Sequence, residues 1–106
     1  MEEIKYAVSN ILSDMLDEIK GADKYLEMAN KSDMVDHKRR FVGMANQELE
    51  HYKNLCEMLE EKMRQYPNEI NIDNNIVAKT LYGDMKHWKE SVCERVKALM
   101  EELGVR

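Results

Sequence analysis

Breakers of regular structure are scarce in this chain: one proline and four glycines among 106 residues. Together with many Glu, Lys, Met and Leu residues, that scarcity favours long helices over strands. Long apolar runs are missing too. No stretch approaches the ~20 apolar residues of a membrane-spanning helix, so no membrane partner is expected. The N-terminus, MEEIKYAV, is acidic with no apolar run behind it, and no secretory leader is expected. The two cysteines, Cys56 and Cys93, form no CxxC pair. A reduced, cytoplasmic protein is therefore the expectation.

Positive charge is in the minority, with 16 Lys and Arg against 21 Asp and Glu and a formal net charge of -5. General affinity for nucleic acid or anionic lipid is not expected from that balance. The one basic cluster, His37-Lys38-Arg39-Arg40, is short and lies in a helical context, so it reads as a solvated face. The sequence offers no glycine-rich phosphate loop and no nucleophile–base pair.

What is present is helical periodicity. Three segments, about 3–30, 33–65 and 73–103, form one domain of 106 residues. The first carries Ile4, Val8, Ile11, Met15, Ala22, Tyr25 and Ala29 at alternating steps of four and three, widened by Leu12, Ile19 and Leu26. The second carries Phe41, Ala45, Tyr52, Leu55 and Leu59, with Val42, Leu49, Cys56 and Met63 alongside and Met44 and Met58 on the other flank. The third carries Val77, Leu81, Met85, Trp88, Val92, Val96, Leu99 and Leu103. Ser32 or Asp33 is the expected cap of the second helix, and Asn71, Asp73 or Asn74 that of the third. Pro67-Asn68 ends the second helix, and Gly104 is the expected C-terminal cap of the third. Nine methionines suit irregular core gaps and adaptable contact surfaces.

Two of these stripes miss a beat. Between Met15 and Ala22 the expected apolar position is Glu18. Between Ala45 and Tyr52 it is Glu48. In an antiparallel hairpin turning near Asp33, the two acids are level, as are Tyr25 with Phe41 and Ile11 with Leu55. His51 follows Glu48 by three residues, on the same helix face. Two partly buried carboxylates side by side repel, and each disfavours the charge of the other. A cation is one remedy, and carboxylate oxygen with imidazole nitrogen suits iron, manganese or zinc. A hydrogen bond donated by His51, a lysine partner for Glu18, or Glu18 reaching solvent at an open bundle edge are the others.

The segments DEIKGADKYLEMA and FVGMANQELEHYKNL resemble the first helix pair of ferritin-like proteins such as rubrerythrins and bacterioferritins. The resemblance covers roughly residues 10–60. It implies a Glu from one helix and a Glu-x-x-His from the next as metal ligands, here Glu18, Glu48 and His51, with iron as the metal. The match extends to Ala22 and Tyr25 in the first helix and to Phe41 and Ala45 in the second. The third helix, with WKESVCERVKALMEE, is similar to small ferritin-like proteins of bacteria and their phages for which no activity is established.

This sequence departs from the full pattern, which has four helices and a second ligand set. No second Glu-x-x-His is present. Asp84-Met85-Lys86-His87 is the nearest echo, and its polar residues lie off the Leu81/Met85/Trp88 stripe of the third helix.

The expected fold is all-α: an antiparallel long-helix hairpin plus a third long helix, a ferritin-like half-bundle completed by a homodimer or higher homo-oligomer. The resemblance implies an iron-binding protein with a half-site of Glu18, Glu48 and His51, and Fe(II) oxidation as its chemistry if the metal is redox-active. The alternative is a metal-free structural or protein-interaction module, phage-derived by the same likeness, in which those residues form a hydrogen-bond cluster. Tyr25 and Tyr52 are candidate donors to the carboxylates but read first as core. Cys56 and Cys93 read as structural thiols, and Trp88 as the anchor of the third helix.

Overall fold

A computed structural model describes residues 2–70 and 76–105, except for the side chains of residues 2, 4, 6 and 77. The expected caps Asn71, Asp73 and Asn74 and the stripe side chains Ile4 and Val77 therefore lie outside the described residues.

Three helices and no strand are found among the described residues: α1 (Glu2–Lys31), α2 (Val35–Gln65) and α3 (Ile76–Leu103). They pack into a rod measuring 50 × 20 × 17 Å. Contact between α1 and α2 is the most extensive, and α3 touches both. None of the helices is long and apolar enough to cross a membrane among the described residues.

Each stripe becomes core because its spacing returns side chains to one face every turn. Met15, Ile19, Ala22, Leu26 and Ala29 of α1 are fully enclosed, as are Val42, Ala45 and Leu59 of α2. Met85, Val92 and Val96 of α3 close over them. In α1 the centre of burial has moved relative to the expected stripe. Ile19 and Leu26 are buried, whereas Tyr25 is only half-buried. The reason is α3, which adds a second contact face and draws the centre towards itself. Leu81, placed on the α3 stripe by its spacing, is exposed near the start of that helix.

The link between α1 and α2 differs from the expected capping. Met34 occupies the N-cap in an extended conformation, φ -99 and ψ 124, with no side-chain cap. The Ser32 hydroxyl instead reaches the Met34 carbonyl at 3.4 Å. Asp36 does lie in the first turn, where a negative charge is favoured, and pairs with Arg40 at 3.2 Å.

The basic cluster does more than face solvent. Lys38 Nζ donates to the Ala29 and Asn30 carbonyls at 3.2 and 3.4 Å, at the C-terminal end of α1. Arg39 donates from Nε and a terminal nitrogen to the Leu103 carbonyl at 3.2 and 3.1 Å, at the C-terminal end of α3. Both cations meet the partial negative charge and terminal carbonyls of a helix end, and the Ala29 carbonyl also accepts the Ser32 N–H at 3.3 Å. Gly104 completes that end of α3 as expected. Its φ is 68°, and the bonds Gly104 N–H to Glu101 and Val105 N–H to Met100 make a Schellman turn.

Asp23 ties α1 to α3. It accepts a hydrogen bond from Trp88 Nε1 at 2.8 Å and one from Arg95 at 3.3 Å. Trp88 thus anchors α3 through its indole N–H as well as its ring. Asp23→Ala would strand that part-buried donor and is expected to cost roughly 1–3 kcal/mol. Arg39→Ala, at an exposed helix end, is expected to cost about 1 kcal/mol or less. Urea unfolding of both variants beside the wild type measures the order; equal losses would mean that the Trp88–Asp23 contact adds nothing beyond a surface cap.

Candidate carboxylate–histidine site

The α1–α2 contact has two margins. Along α1, side chains advance ~100° per residue, so Asp23 and Ile19 turn towards α3 while Glu18, Gly21, Tyr25 and Met28 turn the other way. On α2 the margin away from α3 carries Met44, Glu48, His51, Leu55 and Met58 by the same geometry. The acids expected at the centre of the stripe therefore stand at its uncovered edge.

The structure brings Glu18, Glu48 and His51 together, with one ligand atom from each lying within 4.8 Å of the others. His51 Nδ1 is 3.4 Å from Glu18 Oε2 and 3.8 Å from Glu48 Oε1. The side chains of Glu18 and Glu48 are 23% and 27% exposed, and that of His51 is 57% exposed. The carboxylates thus form the floor of the group and the imidazole its rim. Asp84 and His87, the weaker echo on α3, are exposed, and they are not part of this group.

Glu18 Oε2 is enclosed and has no hydrogen-bond partner among the described residues. The 3.4 Å approach of His51 Nδ1 is an electrostatic contact without hydrogen-bond geometry. An enclosed carboxylate oxygen without a donor is costly. Glu48 shows the other side of this crowding. Its carboxyl is pushed up from 4.5 to about 7, chiefly by hydrogen bonding with Glu18, then by burial and the Glu18 charge, with His51 opposing. In the absence of a cation, a proton held between the two carboxyls is the available remedy.

Of the two tyrosines, Tyr25 is half-buried on the same margin of α1 as Glu18, whereas Tyr52 belongs to the core. Tyr52 is buried, and its hydroxyl is pushed up to about 12 by burial and by the Cys56 and Cys93 thiols. Cys56 Sγ lies 3.6 Å from the Tyr82 hydroxyl and 3.7 Å from Glu60 Oε1. Both cysteines are free, half-buried and packed against the core, so they serve the interior between the helices.

One contributor was not singled out by the sequence pattern. Gly21 faces Glu48 so closely that a Cβ there would lie 2.8 Å from Glu48 Oε2. A glycine one turn after a seam acid was its only sequence signal.

The raised Glu48 group sets a pH dependence. Its protonated form is favoured by the fold, so its contribution is fully present below pH 4.5 and is lost as pH rises through about 7. Stripped of metal, the wild type is expected to melt at a lower temperature at pH 8 than at pH 5.5, and Glu48→Gln to flatten that difference. A profile unchanged by Glu48→Gln would place the shared proton elsewhere.

Comparison with protein-family models, with curated proteins and with solved structures finds no match for this chain.

Proposed function

We propose that Glu18, Glu48 and His51 form a metal-binding half-site, with iron as the metal by likeness to ferritin-like helix pairs and manganese or zinc as the other candidates. The observation that carries this reading is the enclosed, unpartnered Glu18 Oε2 beside a second carboxylate and an imidazole. A cation would satisfy that oxygen and remove the repulsion in one step. The donor set fits: hard carboxylate oxygens for charge, with a borderline nitrogen at the rim. His51 Nδ1 would hold the metal from the solvent side, and the carboxylates would hold it from the floor. Bound iron would supply a one-electron couple and Lewis acidity. The chain's own part is to hold two carboxylates and an imidazole close together, with the carboxylates on the more enclosed side of the group.

We further infer an antiparallel α1–α2 hairpin whose uncovered margin meets a second copy. The close approaches of Glu18 to His51, Gly21 to Glu48 and Lys38 to Ala29 all fit that arrangement. Met28, Met44 and Met58, 38%, 38% and 49% exposed, flank the site on the margin away from α3. A two-fold copy there would bury them and double the ligands to four Glu and two His. That count equals the four-helix di-metal arrangement. Isologous contact of this kind is the commonest way for a small chain to enlarge its core.

The competing reading is a metal-free interaction module, and the raised Glu48 pKa favours it, because a shared proton is a second way to tolerate the acids. Iron reconstitution separates the two. Chelator-stripped protein reloaded anaerobically with Fe(II) is expected to carry about one iron per chain in a dimer-sized gel-filtration fraction. Metal at a hundredfold excess over Kd should stabilise the fold by roughly 2.7 kcal/mol. Glu48→Ala is expected to lose both the iron and that stabilisation. Failure to retain iron, manganese or zinc, with Glu48→Leu more stable than metal-treated wild type, would overturn the metal reading and support the module.

A further inference from the structure

Three glycines lie inside helices, and they are not equivalent. At Gly43 and Gly83 an added Cβ would meet nothing within 4 Å among the described residues. At Gly21 it would lie 2.8 Å from Glu48 Oε2, 3.4 Å from Cδ and 3.6 Å from Cγ. All three glycines weaken their helices, because glycine surrenders the most backbone freedom on folding. Only at Gly21 does the missing side chain leave room that a named group occupies.

The occupant is the Glu48 carboxylate. Its Oε2 fits against α1 at Gly21, and its Oε1 turns to His51 Nδ1 at 3.8 Å. Gly21 stands one turn beyond Glu18 on the same helix, so the notch and Glu18 are neighbours on one face. Ala22, beside it, is fully buried, so α1 and α2 are already in close contact at this level. With Glu48 in this conformation, position 21 has no room for a Cβ, and any side chain there would force the carboxylate to move.

We propose that Gly21 is a positioning residue: its notch seats the Glu48 carboxylate beside Glu18 and His51, and any side chain there expels Glu48 from the group. This rests on the metal reading for its functional consequence, though not for its geometry. The atom that a Cβ would strike is the far end of a flexible side chain. The carboxylate therefore swings out while the helix stays in place. Gly21→Ala should fold normally and lose the arrangement of the site, a separation that a merely structural glycine would not show.

The test uses Co(II) as the probe, with Gly43→Ala and Gly83→Ala as matched controls. All three Ala variants are expected to melt at or above the wild-type temperature. Gly21→Ala alone is expected to bind Co(II) more weakly by about tenfold or more, the loss typical of disturbing a ligand's support, with an altered cobalt visible spectrum. In a Glu48→Ala background, Gly21→Ala should cause no further loss, because both changes act through one carboxylate. Crystal structures of metal-free wild type and Gly21→Ala give the metal-independent readout: Glu48 in the notch in the first, and turned away from Glu18 and His51 in the second. Glu48 keeping its place in Gly21→Ala, or Co(II) affinity equal to the controls, would overturn the proposal. If wild type binds neither Co(II) nor iron, manganese or zinc, the metal reading fails, and the two crystal structures alone decide the role of Gly21.

Discussion

Burial of the α1 stripe against the α2 stripe is the contact on which everything else in this chain rests. Met15, Ile19, Ala22, Leu26 and Ala29 on one side, with Val42, Ala45 and Leu59 on the other, lose essentially all contact with solvent. At roughly 25 cal/mol for each square ångström of apolar surface removed from water, this packing is the chief force opposing the conformational entropy of some sixty helical residues. Small residues at Ala22, Ala29 and Ala45 let the backbones come close. That closeness is what turns two acids into neighbours and makes a missing Cβ at Gly21 consequential.

The third helix determines which side of this contact is dry. Its Val92 and Val96 cover one margin, and Trp88 and Arg95 fasten to Asp23. The opposite margin is left with Glu18, Glu48, His51 and a fringe of methionines. Polar chemistry thus sits where burial is partial: hydrogen bonding with Glu18, helped by burial, raises Glu48, and Glu18 Oε2 is enclosed, yet the group stays open at the His51 rim. A cluster of this kind deeper in the core would bear a far larger desolvation penalty. One more exposed would exert little pull on a cation. The balance explains why a bound metal and a shared proton are the two states to be distinguished.

The ends of the rod are held by a different device. Lys38 and Arg39, adjacent on α2, reach the carbonyl ends of α1 and α3 respectively. One short basic run therefore pins two helix termini at the same end of the molecule. Met34 caps α2 without a side-chain hydrogen bond, so order at this end comes from those cations rather than from the usual Ser or Asp cap. The run looked solvated in sequence because charge composition does not reveal carbonyls contributed from 64 residues away.

By itself the sequence determined the three helices, the near-complete absence of breakers within them, the C-terminal glycine turn and the coincidence of Glu18, Glu48 and His51 at one level. These follow from local physics: helical period, the fixed φ of proline, the freedom of glycine, and the spacing of three that aligns Glu48 with His51. Tertiary structure alone decided that the acids lie at an edge rather than the centre, because α3 shifts the axis of burial towards Ile19 and Leu26. It also decided that Asp23 rather than another acid receives the Trp88 indole, and that Gly21 faces a carboxylate while Gly43 and Gly83 face open space. Those outcomes depend on how far one helix is rotated against another, a quantity that emerges only when three stripes compete for the same core.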